Sequence, residues 1–423
     1  MPNIFDSIPE IVDGCYAHLE SNLVEGDSWG KHYRFYKPAN TKYGPHQWLW
    51  DSGFHMIAWS HRNPEYAVAD LRTMLSIQQR NGFISEIVKW RGHPTSGERF
   101  SAKLYSRPEF VDLTQMPVLA WSLRAIWDAT QDESLLREFV PQLVRYWEWW
   151  LRERDPDGDR LVSIIHPWES GIDATPCYDP VHRVHNPSFN RLYPKFLTLN
   201  LKHKLIARWN PQKILRKEWF NVEDVGVNSV YAAGWGVLAD LAAKYDESIA
   251  EHCQQRQQEC EQAIIQKCWD RRYGRFVSIY HKWGREWVSP IETIQVLMPL
   301  VLYSIPMQLQ KRIINTQILD EKKFWTPYVL PCVAYSEPTF NPNASRLLWR
   351  GPVWPSTVWI VMQGLLKHGH TDVANRILDN WIELYKKSGV WEYYNPLNGA
   401  GLGEEGIGMS TTIVDALYQL NRL

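Results

Sequence analysis

No stretch of the chain approaches the roughly 18 consecutive apolar residues that a membrane-spanning helix needs, so no transmembrane segment is expected. The first residues, Met1-Pro2-Asn3-Ile4-Phe5-Asp6, carry no basic start and no apolar run of signal length, which speaks against a secretory leader. An excess of one charge is missing too: 46 Lys and Arg stand against 47 Asp and Glu, a formal net charge of -1. That balance excludes the strong electrostatic footprint of a nucleic-acid or anionic-membrane binder. The six cysteines form no CxxC pair and no Cys/His set with zinc spacing. Free thiols in a reducing, cytoplasmic setting are therefore expected. There is no GxSxG elbow, no GxxxxGK[ST] and no HExxH, so triad hydrolysis, a phosphate loop and a zincin site lack support. Asp155-Pro156-Asp157-Gly158-Asp159 is like a calcium loop, but its Gly is misplaced and its twelfth position is His166. A turn is expected there, with no metal and no cofactor.

What the chain has is aromatic surface and helical periodicity. Among 423 residues, 44% are hydrophobic and 22% charged, enough to bury a large core. The 23 Trp, 20 Tyr and 13 Phe exceed what a core requires, because an indole is bulky and its N–H must find a partner. Flat rings with a polar edge suit the C–H faces of sugars. Apolar residues recur at three- and four-residue steps near 9–22, 52–61, 65–79, 114–129, 133–152, 190–207, 224–243, 246–268, 290–303, 306–316, 355–368, 371–387 and 409–422. Alternating segments are few: Phe276-Val277-Ser278-Ile279-Tyr280 and Val88-Lys89-Trp90 read as loop hairpins. No low-complexity linker divides the helices, so the expectation is one all-α domain over 1–423. A helical toroid or solenoid fits; no repeat of fixed period favours the solenoid. Long loops at 22–50, 80–112, 153–189, 269–289, 318–354 and 391–408 are rich in Trp, Tyr, Asp, Glu, Arg and Gly. Loops that long in a compact domain are usually functional.

Four motifs in those loops can carry chemistry. In Pro167-Trp168-Glu169-Ser170-Gly171-Ile172-Asp173, two carboxylates, an indole and a Gly suit a pocket edge. A carboxyl beside Trp can be kept protonated by desolvation, as a general acid requires; alternatively Ser170 or Asp173 caps a helix. In Val390-Trp391-Glu392-Tyr393-Tyr394-Asn395-Pro396, Glu392 lies between aromatics just ahead of a glycine-rich run to Gly406, which can approach a ligand closely; it can equally be a surface Glu. In His46-Gln47-Trp48-Leu49-Trp50-Asp51-Ser52-Gly53-Phe54-His55, Asp51 is either the N-cap of a helix starting at Ser52 or an acceptor for sugar hydroxyls. In Leu348-Trp349-Arg350-Gly351-Pro352-Val353-Trp354-Pro355, Arg350 offers a bidentate clamp or simply stacks on an indole.

Together these strings resemble glycoside hydrolase family 63, and in particular its short bacterial mannosylglycerate and glucosylglycerate hydrolases. The likeness runs through Trp48-Leu49-Trp50-Asp51-Ser52-Gly53-Phe54-His55, Leu113-Thr114-Gln115-Met116-Pro117-Val118, Trp168 to Asp173, Trp349 to Trp354 and Glu392-Tyr393-Tyr394-Asn395-Pro396, in the family's order. The resemblance implies an (α/α)6 barrel and hydrolysis with inversion of a small α-glucoside or α-mannoside. Asp173 would be the general acid and Glu392 the general base, with Glu404 and Glu405 as rival bases. Asp51, Trp48 and Trp50 would line the subsite of the cleaved sugar, Gln115 would contact it, and Trp349 and Trp354 would be further walls. Arg350 would support its turn or touch substrate. Tyr43, Trp168, Glu169, Gly171, Arg191, Gly351 and Tyr394 complete the expected substrate-binding set. Arg191, Arg208 and Arg350 are the candidate clamps for a carboxylate leaving group.

The chain departs from the family's pattern in four places. Leu348 stands where Tyr is usual, Met116 where Pro is common, Met409-Ser410-Thr411 where Trp-Thr-Ala is more usual, and Asn81-Gly82-Phe83-Ile84-Ser85-Glu86 lacks the Pro-His pair often seen there. None removes a catalytic carboxylate, and all bear on the leaving-group side. The competing readings are a trehalase- or glucoamylase-like disaccharide hydrolase and a non-catalytic helical sugar-binding protein. Exposed aromatics would serve a homo-oligomer face or a ligand equally well.

Overall fold

The computed structural model describes residues 3–40, 43–90, 103–343 and 346–423. The loops expected at 22–50, 80–112 and 318–354 lie partly outside these residues. The described chain is mostly helical, with strands confined to short antiparallel pairings. Among the described residues, no helix is long and apolar enough to cross a membrane. All six cysteines are buried thiols.

The helices start where side chains take up their orphan N–H groups. Asp132, Asp224 and Asp246 accept from Ser134, Val227 and Ile249 at 2.9, 2.9 and 3.2 Å. Two helices are apolar nearly all round and are buried accordingly. Every residue of Leu49–Ser60 is buried, as is all of Val225–Ala242 except Ala239 and Asp240. Others, such as Glu133–Arg154 and Thr371–Ser388, bury one stripe and expose the opposite face.

The inner elements pack in a cycle. Leu49–Ser60 lies on Leu119–Thr130, which lies on Val225–Ala242, then the 3₁₀ segment Ile294–Val301, then Pro355–Lys367. The 3₁₀ turn Gly408–Thr412 follows and packs back on Leu49–Ser60. Between successive inner elements in sequence lie the outer helices Pro64–Leu75, Glu133–Arg154, Glu247–Ala263, Met307–Ile313 and Thr371–Ser388, with Ile8–Ser21 against the Gly408–Thr412 turn; the stretch after Glu133–Arg154 adds Asp179–His182, Phe189–Lys202 and Pro211–Arg216 before the next inner helix. One contiguous apolar cluster runs from Ile11 to Leu417. Asp415 ties the two ends together: Oδ1 meets His61 Nε2 at 2.8 Å, and Oδ2 accepts from Trp359 Nε1 at 2.7 Å.

Several expected boundaries move for identifiable reasons. The helix expected at 114–129 begins only at Leu119, because Thr114 N–H is held by Glu169 and Pro117 follows. The segment expected as helix at 290–303 is 3₁₀ and contains Pro299, which has no N–H for an α-helical bond. The helix expected from Ser52 starts at Leu49, so Asp51 sits in its first turn and does not cap it. Gln115 Oε1 accepts the Trp50 N–H at 3.2 Å instead. The hairpin expected at Val88-Lys89-Trp90 does not form: the strand is Ile87–Val88, and it pairs with the distant Gln47–Trp48, leaving Lys89 and Trp90 outside it. The 276–280 segment divides between Arg275–Phe276 and Ile279–Lys282.

Candidate active site

Four of the six inner elements deliver their N-terminal approaches to one cavity of about 660 Å³. Trp48, Trp50 and Asp51 come from the start of Leu49–Ser60, and Gln115 from just before Leu119–Thr130. Leu348, Trp349 and Trp354 precede Pro355–Lys367, and Met409 lies in the Gly408–Thr412 turn. Loops and strand ends add Tyr43, Trp168, Gly171, Asp173 and Glu392. Sequence positions from 43 to 409 thus meet around one hole.

The walls are stacked rings. Trp349 and Trp354 lie 3.6 Å apart at 14°, and Trp354 stacks on Tyr393 at 4.6 Å. Trp50 adjoins Trp349 at 6.2 Å, and Tyr43 meets Trp48 edge-on at 5.6 Å. Gly171 makes the Trp50 position available. Its φ is +71°, and a Cβ there would lie 2.9 Å from three atoms of the Trp50 ring.

Glu392 is 1% exposed, on the strand Trp391–Tyr394 that pairs with Gly401–Glu405. Its Oε1 accepts the Tyr43 hydroxyl, and its Oε2 accepts the Glu404 N–H at 3.0 Å. The glycine run makes that cradle: Gly403 has φ +79°, and a Cβ on it would lie 2.4 Å from Glu392 Oε2. Burial, then Glu392, pushes the Tyr43 hydroxyl well above its usual range, so it stays a donor. Glu404 and Glu405 do not line the cavity; Glu404 serves Glu392 through its backbone.

Asp173 lines the same cavity and is half-buried, two residues beyond Gly171. Two further carboxyls join it. Asp51 is pushed up to about 8 by burial and then by Glu392, and its Oδ1 is buried without a hydrogen-bond partner. Glu86, adjoining the strand Ile87–Val88, is raised well above the usual carboxylate range by burial, then by Asp173, Glu169 and Asp51. Its Oε2 is likewise buried and unbonded.

Five of the expected substrate-binding residues lie elsewhere. Glu169 is fully buried beneath the cavity, where Oε1 accepts from Arg154 Nη2 at 2.6 Å and Thr114 N at 3.3 Å, and Oε2 from Ile165 N at 2.8 Å. Arg350 forms a buried bidentate pair with Asp179, both bonds 2.7 Å, so it supports its turn. Gly351 packs on the Asn341 backbone, where a Cβ would be 2.4 Å from the carbonyl oxygen. The Tyr394 hydroxyl donates to Gly389 O at 2.7 Å and accepts from Trp391 N at 2.8 Å, closing its own hairpin. Arg191 and Arg208 are exposed and outside the lining. The other expected residues all line the cavity.

Sequence reasoning missed Glu86, Lys89, His46, Tyr105 and Tyr193, which also line it. Lys89 and His46 are the basic residues among the described lining. The departure from the family pattern over Asn81 to Glu86 pointed to this segment without singling out Glu86. Of the departures, Leu348 and Met409 line the cavity, while Met116 is buried in the core. The Asp155–Asp159 segment is a turn in which Asp155 accepts from the backbone N–H of Gly158, Asp159 and Arg160.

An aromatic-walled, carboxylate-bearing cleft of this kind suits a glycoside hydrolase. Residues 44–410 match the profile of the mannosylglycerate hydrolase MGH1-like glycoside hydrolase domain. The chain belongs to that family. It is 29% identical to a mannosylglycerate hydrolase of Thermus thermophilus, over 90% of this chain and 95% of the relative. It is 25% identical to a glucosylglycerate hydrolase of Mycolicibacterium hassiacum, over 85% of this chain and 88% of the relative. A crystal structure of a family 63 mannosylglycerate hydrolase from Thermus thermophilus, in complex with Tris and D-glycerate, superposes with a TM-score of 0.82 at 28% identity. It covers 98% of this chain and 100% of that one.

Proposed function

We propose that the chain is an inverting α-glycosidase that cleaves a small α-glucoside or α-mannoside in this cavity. Asp173 is its general acid and Glu392 its general base. The observation that carries the reading is the environment of Glu392: a buried carboxylate at the cavity wall, held in one orientation by a hydroxyl and a backbone N–H that both donate to it. Asp173 gives its proton to the glycosidic oxygen as the C–O bond breaks. Glu392 takes a proton from the water that attacks the anomeric carbon from the opposite face. The stacked Trp349 and Trp354, with Trp48, Trp50 and Trp168, offer ring faces to sugar C–H groups. Asp51 and Gln115 are placed to hydrogen-bond sugar hydroxyls. The relatives' names make glycerate one candidate aglycone, and Lys89 and His46 are the groups that would receive its carboxylate. The alternating cycle of helices supports reading the fold as a single (α/α)6 barrel over 1–423.

The test is proton NMR of fresh digests of glucosylglycerate, mannosylglycerate, glucosylglycerol, trehalose, kojibiose and maltose. The β-anomer of the released sugar is expected to appear first from at least one of them. Initial release of the α-anomer, or no turnover by folded protein, would overturn the assignment. Glu86 supplies a second check, because its buried, unbonded oxygen costs stability unless substrate completes it. Glu86→Gln is expected to lower kcat/KM about 2- to 10-fold, the scale of one neutral hydrogen bond, with Tm unchanged or higher. Unaltered kinetics would remove Glu86 from the substrate contacts.

A further inference from the structure

A second cavity, of about 270 Å³, lies between the Asp179–His182 turn, the Phe189–Lys202 helix and the Ile279–Lys282 strand. Its lining includes Arg183, Lys195, Lys202 and Lys282, with no acidic residue. None of these four forms an ion pair with a carboxylate among the described residues. In a chain whose net charge is -1, four unneutralised cations around one small hole do not follow from composition.

Arg183, Lys202 and Lys282 are held in place by contacts other than ion pairs. Arg183, in the left-handed region at φ +53°, lies over the Trp283 ring at 4.5 Å, and Lys202 over Trp219 at 5.7 Å. Lys282 Nζ donates to Val181 O at 3.0 Å, and burial followed by Arg183 pushes its pKa down. Glu218 is the carboxylate whose field offsets this, and both of its oxygens accept from Gly284 N. His182 lines the cavity, is 8% exposed, and has an Nε2 that is buried without a hydrogen-bond partner. Its imidazole stacks on Phe220 at 5.3 Å, which fixes the ring.

We infer that this cavity binds a phosphate-type anion through Arg183, Lys195, Lys202 and Lys282, with His182 Nε2 completing the set. A dianionic tetrahedral group suits several converging cations better than a single carboxylate does. The volume admits inorganic phosphate or the phosphate end of a small ester. The site is separate from the glycosidase cavity, although the Phe189–Lys202 helix also carries Tyr193 into that cavity. It does not depend on the proposed activity.

The experiment is calorimetric and thermal-shift titration of the whole chain with inorganic phosphate, glucose 6-phosphate and sodium chloride at matched ionic strength. Saturable binding of a phosphate compound is expected, with a rise in Tm that chloride does not reproduce. Tighter binding of inorganic phosphate would identify the free ion as the ligand; tighter binding of the ester would identify a phosphorylated metabolite. The double variant Lys195→Gln/Lys282→Gln is expected to weaken binding at least tenfold. Its Tm without ligand should match or exceed the wild type's, since like-charge repulsion is relieved. Absence of saturable binding, or equal affinity in the folded double variant, would overturn the inference.

Discussion

Asp173→Asn and Glu392→Gln are each expected to lower kcat on the natural glycoside by about 10²–10⁴-fold, the contribution of a positioned acid or base, with the fold retained. The two losses should differ in character. Asn cannot protonate the glycosidic oxygen, so the Asp173 defect should shrink on a 4-nitrophenyl α-glycoside, whose leaving group needs little protonation. Gln at 392 cannot take the proton of the attacking water, so that defect should persist whatever the leaving group. The Gln side chain still offers one oxygen to Tyr43 or to the Glu404 N–H, which limits structural damage. Steady-state kinetics of both variants on both substrates, with circular dichroism as the folding control, decides the matter. Retention of most activity by either variant would remove that residue from its role, and a nitrophenyl rescue of Glu392→Gln would exchange the two assignments.

Glu169→Ala is expected to destabilise the protein by about 3–5 kcal/mol, the usual consequence of removing one partner of a buried ion pair. Arg154 is 1% exposed and Glu169 fully buried. Burial pushes the Arg154 pKa down and the Glu169 pKa up, while each partner opposes the other's shift. The variant strands a guanidinium in the interior together with the N–H groups of Thr114 and Ile165. Those two segments lead into Gln115 and toward Asp173, so activity should fall with stability. Guanidinium unfolding measures the effect; a midpoint within error of wild type would show that water replaces the carboxylate at no cost. Arg154→Met paired with Glu169→Gln is expected to recover much of the loss, because no charge is then left unpaired and Gln still offers one acceptor to the N–H groups.

The helices were legible because their apolar positions recur with the helical period over a dozen residues or more, as in Glu133–Arg154 and Thr371–Ser388. Asp173 and Glu392 stood out because each lies beside Trp and Gly in a loop too long to be a simple connection. Arg350 was ambiguous because what decides its role is Asp179, 171 residues away, and nothing local announces that pairing. Glu169 shares its motif with Asp173, but its partner is Arg154 on the preceding helix, so of two carboxylates four residues apart one is buried in an ion pair and the other lines the cavity. Glu86 escaped notice because its place in the cavity depends on the two-residue pairing of Ile87–Val88 with Gln47–Trp48 and on the bond from its N–H to Leu113 O. A pairing that short leaves no alternation to detect.

The cycle of inner elements closes only when Gly408–Thr412 reaches Leu49–Ser60, with Asp415 joining His61 and Trp359. On the ribosome, a nascent chain that has emerged only to residue 390 already carries Asp51, Glu86 and Asp173. It has neither Glu392 nor the Gly403–Glu404 cradle that positions it. On the proposed roles, such a chain carries the acid and lacks the base. The two proposed catalytic residues stand 219 positions apart, so a growing chain displays the acid well before the base and its cradle.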